Sequence, residues 1–305
     1  MTHVSAIICT RNRPESIGAA VASVLASRSP ALDLLVVDQS DDQRTAQALQ
    51  GLLAQHATLR YLHTNRPGLS RAYNVGVRAT SGDVLAFTDD DCIATPDWIE
   101  SIVAAFAADP EVDLLYGQVL LPAALVGVAG EVPTLPIERP RRLSWRQDFQ
   151  IYGMGANFAT TRRLFERLGG FDELLGGGGP LRSSQDFDFQ YRALRAGATV
   201  LLCPDVRVDH YGVRTAAQWP ATLRAYGVGD GAFYFKHVRC GDLFALSLLT
   251  RRLGRLAARE ALIALGLRRR PSLGMYLRSC LEGIRESWRY PIDHEQRLYR
   301  RPASP

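Results

Sequence analysis

The amino-acid sequence predicts an α/β fold in which an open, mostly parallel sheet is flanked by helices and followed by a helical C-terminal extension. In the first 120 residues, short apolar runs typical of parallel strands buried on both faces alternate with stretches of helical apolar spacing. This alternation implies right-handed crossovers between parallel strands. Beyond about residue 215, the helical spacing continues to the end of the chain.

The expected elements follow from these patterns in chain order. Strands are predicted at 4–9, 32–37, 59–63, 84–88, 114–121, 200–203 and 206–208, and helices at 14–26, 45–55, 70–79, 96–107, 161–168 and 185–196. Pro14 is placed to open the first of these helices, and Gly169 and Gly170 follow the fifth. Residues 122–142 are expected to form a loop over the site, and the glycines at 176–179 a mobile loop.

Composition excludes several classes of protein. The five cysteines are scattered and never form a CxxC pair, which argues against a disulfide framework or a zinc cluster. The first residues lack the pattern of a signal peptide, and no run of about 18 apolar residues occurs. We therefore expect a reduced, cytoplasmic protein that does not cross a bilayer as a helix.

The C-terminal end is strongly basic: residues 236–305 contain 15 Lys/Arg and 6 Asp/Glu, and Lys236 is the only lysine in the chain. An apolar stripe of leucines runs beside arginines at i+4 spacing, and the stripe consists of Leu246, Leu249, Leu253 and Leu256. Such a helix either lies on an anionic membrane surface, at the inner face of the membrane, or packs on the rest of the protein. Nucleic-acid binding is not expected, because no aromatic-basic interleaving accompanies the charge.

Polar clusters follow three of the predicted strands, where ligands gather in open parallel sheets. Asp89, Asp90 and Asp91 would repel one another unless a cation offsets their charge, and Mg²⁺ or Mn²⁺ suits such carboxylates. A solvated acidic loop is the alternative. Asp38 could accept hydrogen bonds from a ribose or a base, or could be a helix cap or turn residue.

Two later segments add candidate residues. Asp186 and Asp188 project about 200° apart on a helix, so one could act as a general base while the other caps the helix or pairs with Arg192. His210 closes a predicted strand, where it could be a third metal ligand or could simply bond to the backbone.

Taken together, the segments resemble family 2 inverting glycosyltransferases with the GT-A, Rossmann-like fold. The resemblance rests on SAIICTRNRPE, LLVVDQSDD, RPGLSRAYNVGVRATSGDVLAFTDDDC, GANFATTRRLFERLGGFDE and QDFDFQYRALRAGATV. It implies a catalytic domain at 1–215, with a nucleotide-binding half at about 1–120 and an acceptor half at about 121–215, and a basic extension at 216–305. The family usually has Glu-Asp where this chain has Gln185-Asp186, so the position of the base is kept and its acidic neighbour is not.

The resemblance also implies a role for each candidate residue. Asp186 would be the catalytic base, and the metal ligands would be Asp89, Asp91 and His210. The nucleotide-sugar pocket would be formed by Thr10, Asn12, Arg13, Asp38, Asn74, Asp89, Asp90 and Asn157, with Asn74 and Asn157 acting less directly.

The expected activity is transfer of a hexosyl group from a nucleotide-diphosphate sugar, UDP by default with GDP or dTDP open, to an acceptor hydroxyl. The reaction would be a single in-line displacement assisted by Mn²⁺ or Mg²⁺. The acceptor could be a saccharide, a lipid-linked molecule or a small molecule, as in polysaccharide or glycolipid assembly. A sugar nucleotidyltransferase and a non-catalytic scaffold are the alternatives. The first would need a glycine-rich loop after strand 4–9, which is absent, and the second would lack the carboxylates.

Overall fold

The computed structural model describes residues 2–27, 32–146, 148, 152–264 and 272–302. The strands are β1 (Val4–Thr10), β2 (Leu32–Asp38), β3 (Leu59–His63), β4 (Val84–Asp89), β5 (Cys92–Ala94), β6 (Val112–Leu120), β7 (Arg141–Leu143), β8 (Asn157–Thr161), β9 (Thr199–His210), β10 (Ile292–Asp293) and β11 (Leu298–Tyr299). The helices are α1 (Pro14–Leu25), α2 (Arg44–Gln55), α3 (Leu69–Arg78), α4 (Trp98–Ala108), α5 (Arg162–Arg167), α6 (Gln185–Arg195), α7 (Trp219–Arg239), α8 (Leu243–Ala264) and α9 (Ser272–Ser287).

Nine strands of the described chain form one mixed sheet in the order β3-β2-β1-β4-β8-β6-β9-β5, with β7 paired to β9. Strands β1 to β4 are parallel, and β1 lies between β2 and β4. The register pairs Thr10 with Asp38, and Cys9 with Asp89. The carboxyl ends of these three strands therefore lie side by side, which places their polar residues at one edge of the sheet.

Successive residues of β1 point to opposite faces of this sheet, as strand geometry requires. Ala6 and Ile8 belong to a buried cluster with residues of α1 and α4. On the other face, a Cβ atom on Gly76 of α3 would lie 2.8 Å from the Ile7 side chain, so this helix packs directly on the sheet. The prediction of an α/β fold with a C-terminal helical extension is confirmed.

The described chain divides into two compact units. The first contains Met1–Pro67, Arg71–Gly170 and Phe189–Arg214, and the second contains Gly68–Ser70, Phe171–Asp188 and Thr215–Pro305. The domain boundary near residue 215 stays a prediction. Among the described helices, none combines the length and apolarity needed to cross a bilayer.

Within the second unit, glycines allow α7 and α9 to pack closely. A Cβ atom on Gly231 would collide with the carbonyl of Cys280, and one on Gly283 with the carbonyl of Val228. The backbones of the two helices therefore touch where any larger residue would separate them.

Two expectations about secondary structure were wrong, and one short strand was missed. The two short strands predicted at 200–203 and 206–208 are one strand, β9, which continues through an irregularity where β6 shifts register. The helical pattern does not continue to the end, because β10 and β11 form an antiparallel pair. Strand β5, directly after the three aspartates, was not predicted because three residues are too few to show a period.

Candidate active site

The three aspartates lie in the first unit, where β4 ends and the chain turns into β5. Asp90 is buried, and Asp89 and Asp91 are half-buried. Burial, and then repulsion from Asp91 and Asp90, raises the pKa of Asp89 to about 7. Burial also raises the pKa of Asp90, although Arg13 opposes this shift. Asp90 and Asp91 are therefore close enough to Asp89 to oppose its ionisation.

Residues at the end of β1 bind this acidic turn. The Thr10 hydroxyl donates to Asp90 Oδ2 at 2.6 Å. Arg13 Nη1 donates to Asp90 Oδ1 at 2.7 Å and to Asp91 Oδ2 at 2.8 Å. Since the Arg13 side chain is 50% exposed, it keeps N–H groups that a ligand can reach.

His210 reaches the same turn because β9 pairs with β5 in a register that sets Cys92 opposite His210. His210 Nε2 lies 3.3 Å from Asp91 Oδ1, and His210 Nδ1 lies 2.9 Å from the carbonyl of Pro133. Because a carbonyl only accepts, Nδ1 carries a proton, and Nε2 is the nitrogen that can act as a ligand. Burial lowers the pKa of His210, but Asp91 outweighs it and raises the pKa above its ordinary value.

The donor atoms around Asp91 fit a hard divalent cation. Asp91 Oδ1 is buried and meets no aligned hydrogen-bond donor among the described residues. Burial favours its neutral form, yet the nearby His210 and Arg13 hold the pKa of Asp91 below its ordinary value, so a charged oxygen is available. A sulfur, an oxygen and a nitrogen atom of Cys92, Asp91 and His210 lie within 4.8 Å of one another. Burial raises the pKa of the Cys92 thiol, which leaves oxygen and nitrogen as the ligands.

A glycine makes this arrangement possible. A Cβ atom on Gly212 would lie 2.6 Å from Asp91 Oδ2 and 2.8 Å from His210 Nε2. Gly212 could not be predicted from the sequence, because a single glycine two residues after a strand has no pattern that sets it apart.

Asp38 and Asn12 occupy the neighbouring part of the edge, in the first unit. Asp38 is fully buried and accepts from the Tyr61 hydroxyl at 2.7 Å and from the backbone N–H of Ser40 at 2.8 Å. Asn12 has a φ of 56°, and its side chain bonds to Asp41 at 2.7 Å. The backbone N–H of Asn12 donates to Ser40 Oγ at 2.8 Å. The loops after β1 and β2 are thus held together by polar side chains, and Tyr61 is a member that the sequence did not reveal.

The two predicted asparagines are placed differently from the other candidates. Asn157 is fully buried, where it accepts from Trp98 Nε1 at 2.9 Å and donates to the carbonyls of Gln118 and Val206. Asn74 is buried, and its Oδ1 would lie 2.7 Å from a Cβ atom on Gly170. Asn157 therefore braces the sheet beneath the edge rather than offering its amide to a ligand.

Asp186 and Asp188 lie in the first turn of α6, in the second unit. Asp188 is fully buried, and Oδ1 lies 2.6 Å from Lys236 Nζ and 3.0 Å from His237 Nε2. Asp186 is half-buried, and its Oδ1 accepts from the backbone N–H of Phe187 at 3.0 Å. Of the two carboxylates, Asp186 is the one within reach of a ligand.

Comparisons with known proteins identify a family that matches this chain. The model of glycosyl transferase family 2 matches residues 5–168, more than half of the 305-residue chain. The glucosyl-dolichyl phosphate glucuronosyltransferase of Haloferax volcanii is 26% identical over 182 residues, which are 55% of this chain and 56% of the relative. The pre-mycofactocin glycosyltransferase of Mycobacterium tuberculosis is 26% identical over 244 residues, 77% of this chain and 48% of the relative. The chain thus spans about half the length of these curated relatives.

Solved structures share the fold. The mannosyltransferase PcManGT from Pyrobaculum calidifontis, in complex with GDP-Man and Mn²⁺, has a TM-score of 0.63 at 19% identity, over 93% of this chain and 87% of that one. GalNAc-T7 with UDP, GalNAc and Mn²⁺ has a TM-score of 0.55 at 18% identity, over 78% of this chain and 50% of that one. At such identities the likeness establishes the fold alone, and it confirms the GT-A resemblance. With the match of the family model, it follows that the chain belongs to glycosyltransferase family 2.

Proposed function

We propose that this chain is a glycosyltransferase that moves a sugar from a nucleotide-diphosphate donor to an acceptor hydroxyl with inversion. The observation that supports this most is the edge where Arg13, Asp91 and His210 meet around a buried, charged oxygen. Neither alternative fits it as well. A nucleotidyltransferase would need a glycine-rich loop after β1, and a scaffold would have no reason to keep three acids in repulsion.

The nucleotide would be bound by the loops after β1 and β2. The buried carboxylate of Asp38 is held by Tyr61, which fixes its orientation toward a ribose or base donor. Asn12 and Thr10 shape the neighbouring loop, and the exposed N–H groups of Arg13 would meet the diphosphate. Binding would therefore draw Arg13 away from Asp90 and Asp91.

Asp91 and His210 would hold a divalent cation, Mn²⁺ or Mg²⁺, with Asp89 close by. Such a cation would supply positive charge to the diphosphate as it leaves. The protein's own part is to hold one proton of His210 on Nδ1, through its bond to the Pro133 carbonyl, so that Nε2 faces Asp91. Gly212 leaves the space beside these two groups free of a side chain.

Asp186 would accept the proton of the acceptor hydroxyl. It is half-buried, whereas Asp188 is committed to Lys236 and His237. A carboxylate in this role contributes about 10²- to 10⁴-fold to the rate.

The donor is proposed to be a UDP-hexose, with GDP- and dTDP-sugars to be tested beside it. Structural neighbours were solved with GDP-Man, and with UDP-GlcNAc in the case of TarS from S. aureus. One relative is named for a dolichyl phosphate substrate, which favours a lipid-linked acceptor over a free saccharide or small molecule. Such an acceptor is consistent with a cytoplasmic protein that works at the inner membrane face.

The test is a panel of UDP-, GDP- and dTDP-sugars, assayed for binding and hydrolysis with and without Mn²⁺. We expect Asp91→Ala to weaken metal-dependent donor binding, and Asp186→Asn to leave donor binding intact. Turnover should fall by at least about 100-fold in Asp186→Asn. Asp205→Asn, which removes an exposed carboxylate of β9, is the matched control and should behave as the wild type.

If no nucleotide sugar binds under any metal condition, the proposed transferase activity is contradicted. The alternative of a non-catalytic scaffold would then remain. Donor binding that is lost equally in Asp186→Asn and Asp91→Ala would contradict the division of roles between base and metal ligand.

A further inference from the structure

The only lysine of the chain is fully buried, in the second unit. Lys236 of α7 places Nζ 2.6 Å from Asp172 Oδ2 and 2.6 Å from Asp188 Oδ1, and no part of the three side chains is exposed. The other 35 basic residues are arginines. Because the ammonium is a compact charge and a guanidinium is a wide planar fork, a lysine fits between two close carboxylates where an arginine would not.

The next residue, His237, adds a second hold on the same carboxylate. Its Nε2 lies 3.0 Å from Asp188 Oδ1, and the ring is fully buried. Burial lowers the pKa of His237 to about 4, so the ring is neutral at pH 7 and donates through Nε2. Asp188 is therefore bound to α7 by two successive residues of that helix.

Helix α7 also holds the residue two positions before Asp186. The Ser184 hydroxyl donates to Asp230 Oδ1 at 2.9 Å, and both residues are buried. The other oxygen of Asp230 binds Arg252 of α8 and Tyr276 of α9. Asp230, itself a residue of α7, is thus held by side chains of α8 and α9 as well as by Ser184.

The backbone around Ser184 is constrained in a way that requires this support. Ser184 has a φ of 67° and Arg182 also has a φ of 67°, the left-handed region that costs a non-glycine residue free energy. A Cβ atom on Gly229 of α7 would lie 2.6 Å from the backbone carbon of Ser183, so the helix touches this segment directly. Such a conformation persists only where the surroundings determine it.

We infer that α7 positions Asp186, by anchoring the segment 184–188 at both ends, through Asp230 on one side and Lys236 with His237 on the other. Because residues two apart on a helix project to nearly opposite sides, burying Asp188 against α7 turns Asp186 outward. Lys236, His237 and Asp230 are positioning residues, since they act on Asp186 only through its neighbours. The inference rests on the proposed function of Asp186 as base.

The experiment compares three substitutions in the full chain. His237→Phe keeps a ring but removes the donor to Asp188, His237→Gln restores an N–H donor, and Ser184→Ala removes the hydroxyl that binds Asp230. Ser279→Ala is the matched control: it removes a buried hydroxyl of α9 that bonds to the Met275 carbonyl of its own helix at 2.8 Å. For each variant we measure the Kd of the nucleotide-sugar donor, the kcat of sugar transfer and the amide hydrogen exchange of residues 185–188.

We expect His237→Phe to lower kcat about 100-fold, the scale of a misplacement of about 1 Å, while donor Kd changes less than about twofold. Ser184→Ala should lower kcat about tenfold, His237→Gln should recover most of the activity, and Ser279→Ala should change nothing. The exchange of the amides at 185–188 should accelerate in His237→Phe and Ser184→Ala alone. If His237→Phe does not fold, Ser184→Ala and His237→Gln still give the answer.

A double-mutant cycle separates positioning from a general loss of structure. If His237 acts through Asp186, His237→Phe costs nothing further in an Asp186→Asn background. An equal loss of kcat in both backgrounds, or unchanged amide exchange at 185–188, would overturn the inference. Accelerated exchange in a chain that transfers no sugar would instead support the anchoring and refute the proposed transferase.

Discussion

At the scale of single residues, Asp91 stands apart from the two aspartates before it. Thr10 and Arg13 bind Asp90, whereas Oδ1 of Asp91 is buried beside His210 without an aligned donor among the described residues. The three acids thus include one carboxylate that supports the loop after β1 and one whose buried oxygen would face the cation of the proposed site.

The glycine at 212 gives a test of this geometry. In Gly212→Ala, the new methyl group would lie 2.6 Å from Asp91 Oδ2 and 2.8 Å from His210 Nε2, which no side chain tolerates without moving. We expect the affinity for Mn²⁺ with donor to fall at least about tenfold, within the range that disturbed supporting residues cost a metal site. Isothermal titration with Mn²⁺ and UDP measures it.

The control is Gly51→Ala in α2, where an added Cβ meets nothing within 4 Å. It should bind as the wild type and be more stable by about 0.5–1 kcal/mol, because alanine is the better helix residue. If Gly212→Ala leaves the metal affinity unchanged, the proposal that Asp91 and His210 bind the cation together is contradicted.

The sequence could predict which residue types gather at the sheet edge, but not which of the two aspartates Asp186 and Asp188 is fully buried. Asp186 and Asp188 both lie in the first turn of α6, and no nearby residue distinguishes them. The choice depends on Lys236 and His237, about 50 positions later, which bury Asp188. Only a contact between distant parts of the chain carries that information.

At the scale of elements, α8 has an exposed face that combines leucine with arginine. Leu243 is 78% exposed and Leu246 is 40% exposed, whereas Leu249 and Leu256 of the predicted stripe are buried. Part of the stripe therefore packs inside the second unit, and its N-terminal end does not. The chain also has three consecutive arginines at 268–270, which lie outside the described residues.

This face leads us to propose that α8 contacts an anionic membrane surface. Arg251, Arg255 and Arg259 of this helix are exposed. Each arginine near an anionic bilayer contributes about 1 kcal/mol. Replacing all three with glutamine should therefore weaken binding to phosphatidylserine vesicles roughly 100-fold, measured by co-sedimentation.

Vesicles of phosphatidylcholine alone are the control, and high salt should weaken the binding to anionic vesicles by screening. The membrane proposal is contradicted if the wild type and the triple variant bind equally, or if neither kind of vesicle is bound. The alternative that the helix packs on the rest of the protein would then remain.

At the scale of the whole chain, the second unit is assembled from distant segments. Asp172 and Asp188 are buried in it, and both depend on Lys236. A chain that ends after Arg214 would leave these two carboxylates without their cation. Unpaired buried charges cost about 3–5 kcal/mol, a large part of the stability of a protein.

We therefore expect the chain 1–214 to be cut by trypsin within residues 171–188, at Arg182, under conditions where the full chain is not. Limited proteolysis followed by mass spectrometry measures this. A truncated chain that resists cleavage at Arg182 would show that the segment folds without α7.

The sequence by itself determined the alternation of strands and helices, the family, and the acids at the strand ends. These follow from local period and from adjacent residues, which the chain carries without folding. Only the tertiary structure decided that His210 lies beside Asp91 and that Asn157 makes its hydrogen bonds inside the core. The same holds for Lys236, which anchors the segment around Asp186. The physical reason is that each of these depends on strand register or helix contact between residues far apart in sequence, where no local propensity sets the partner.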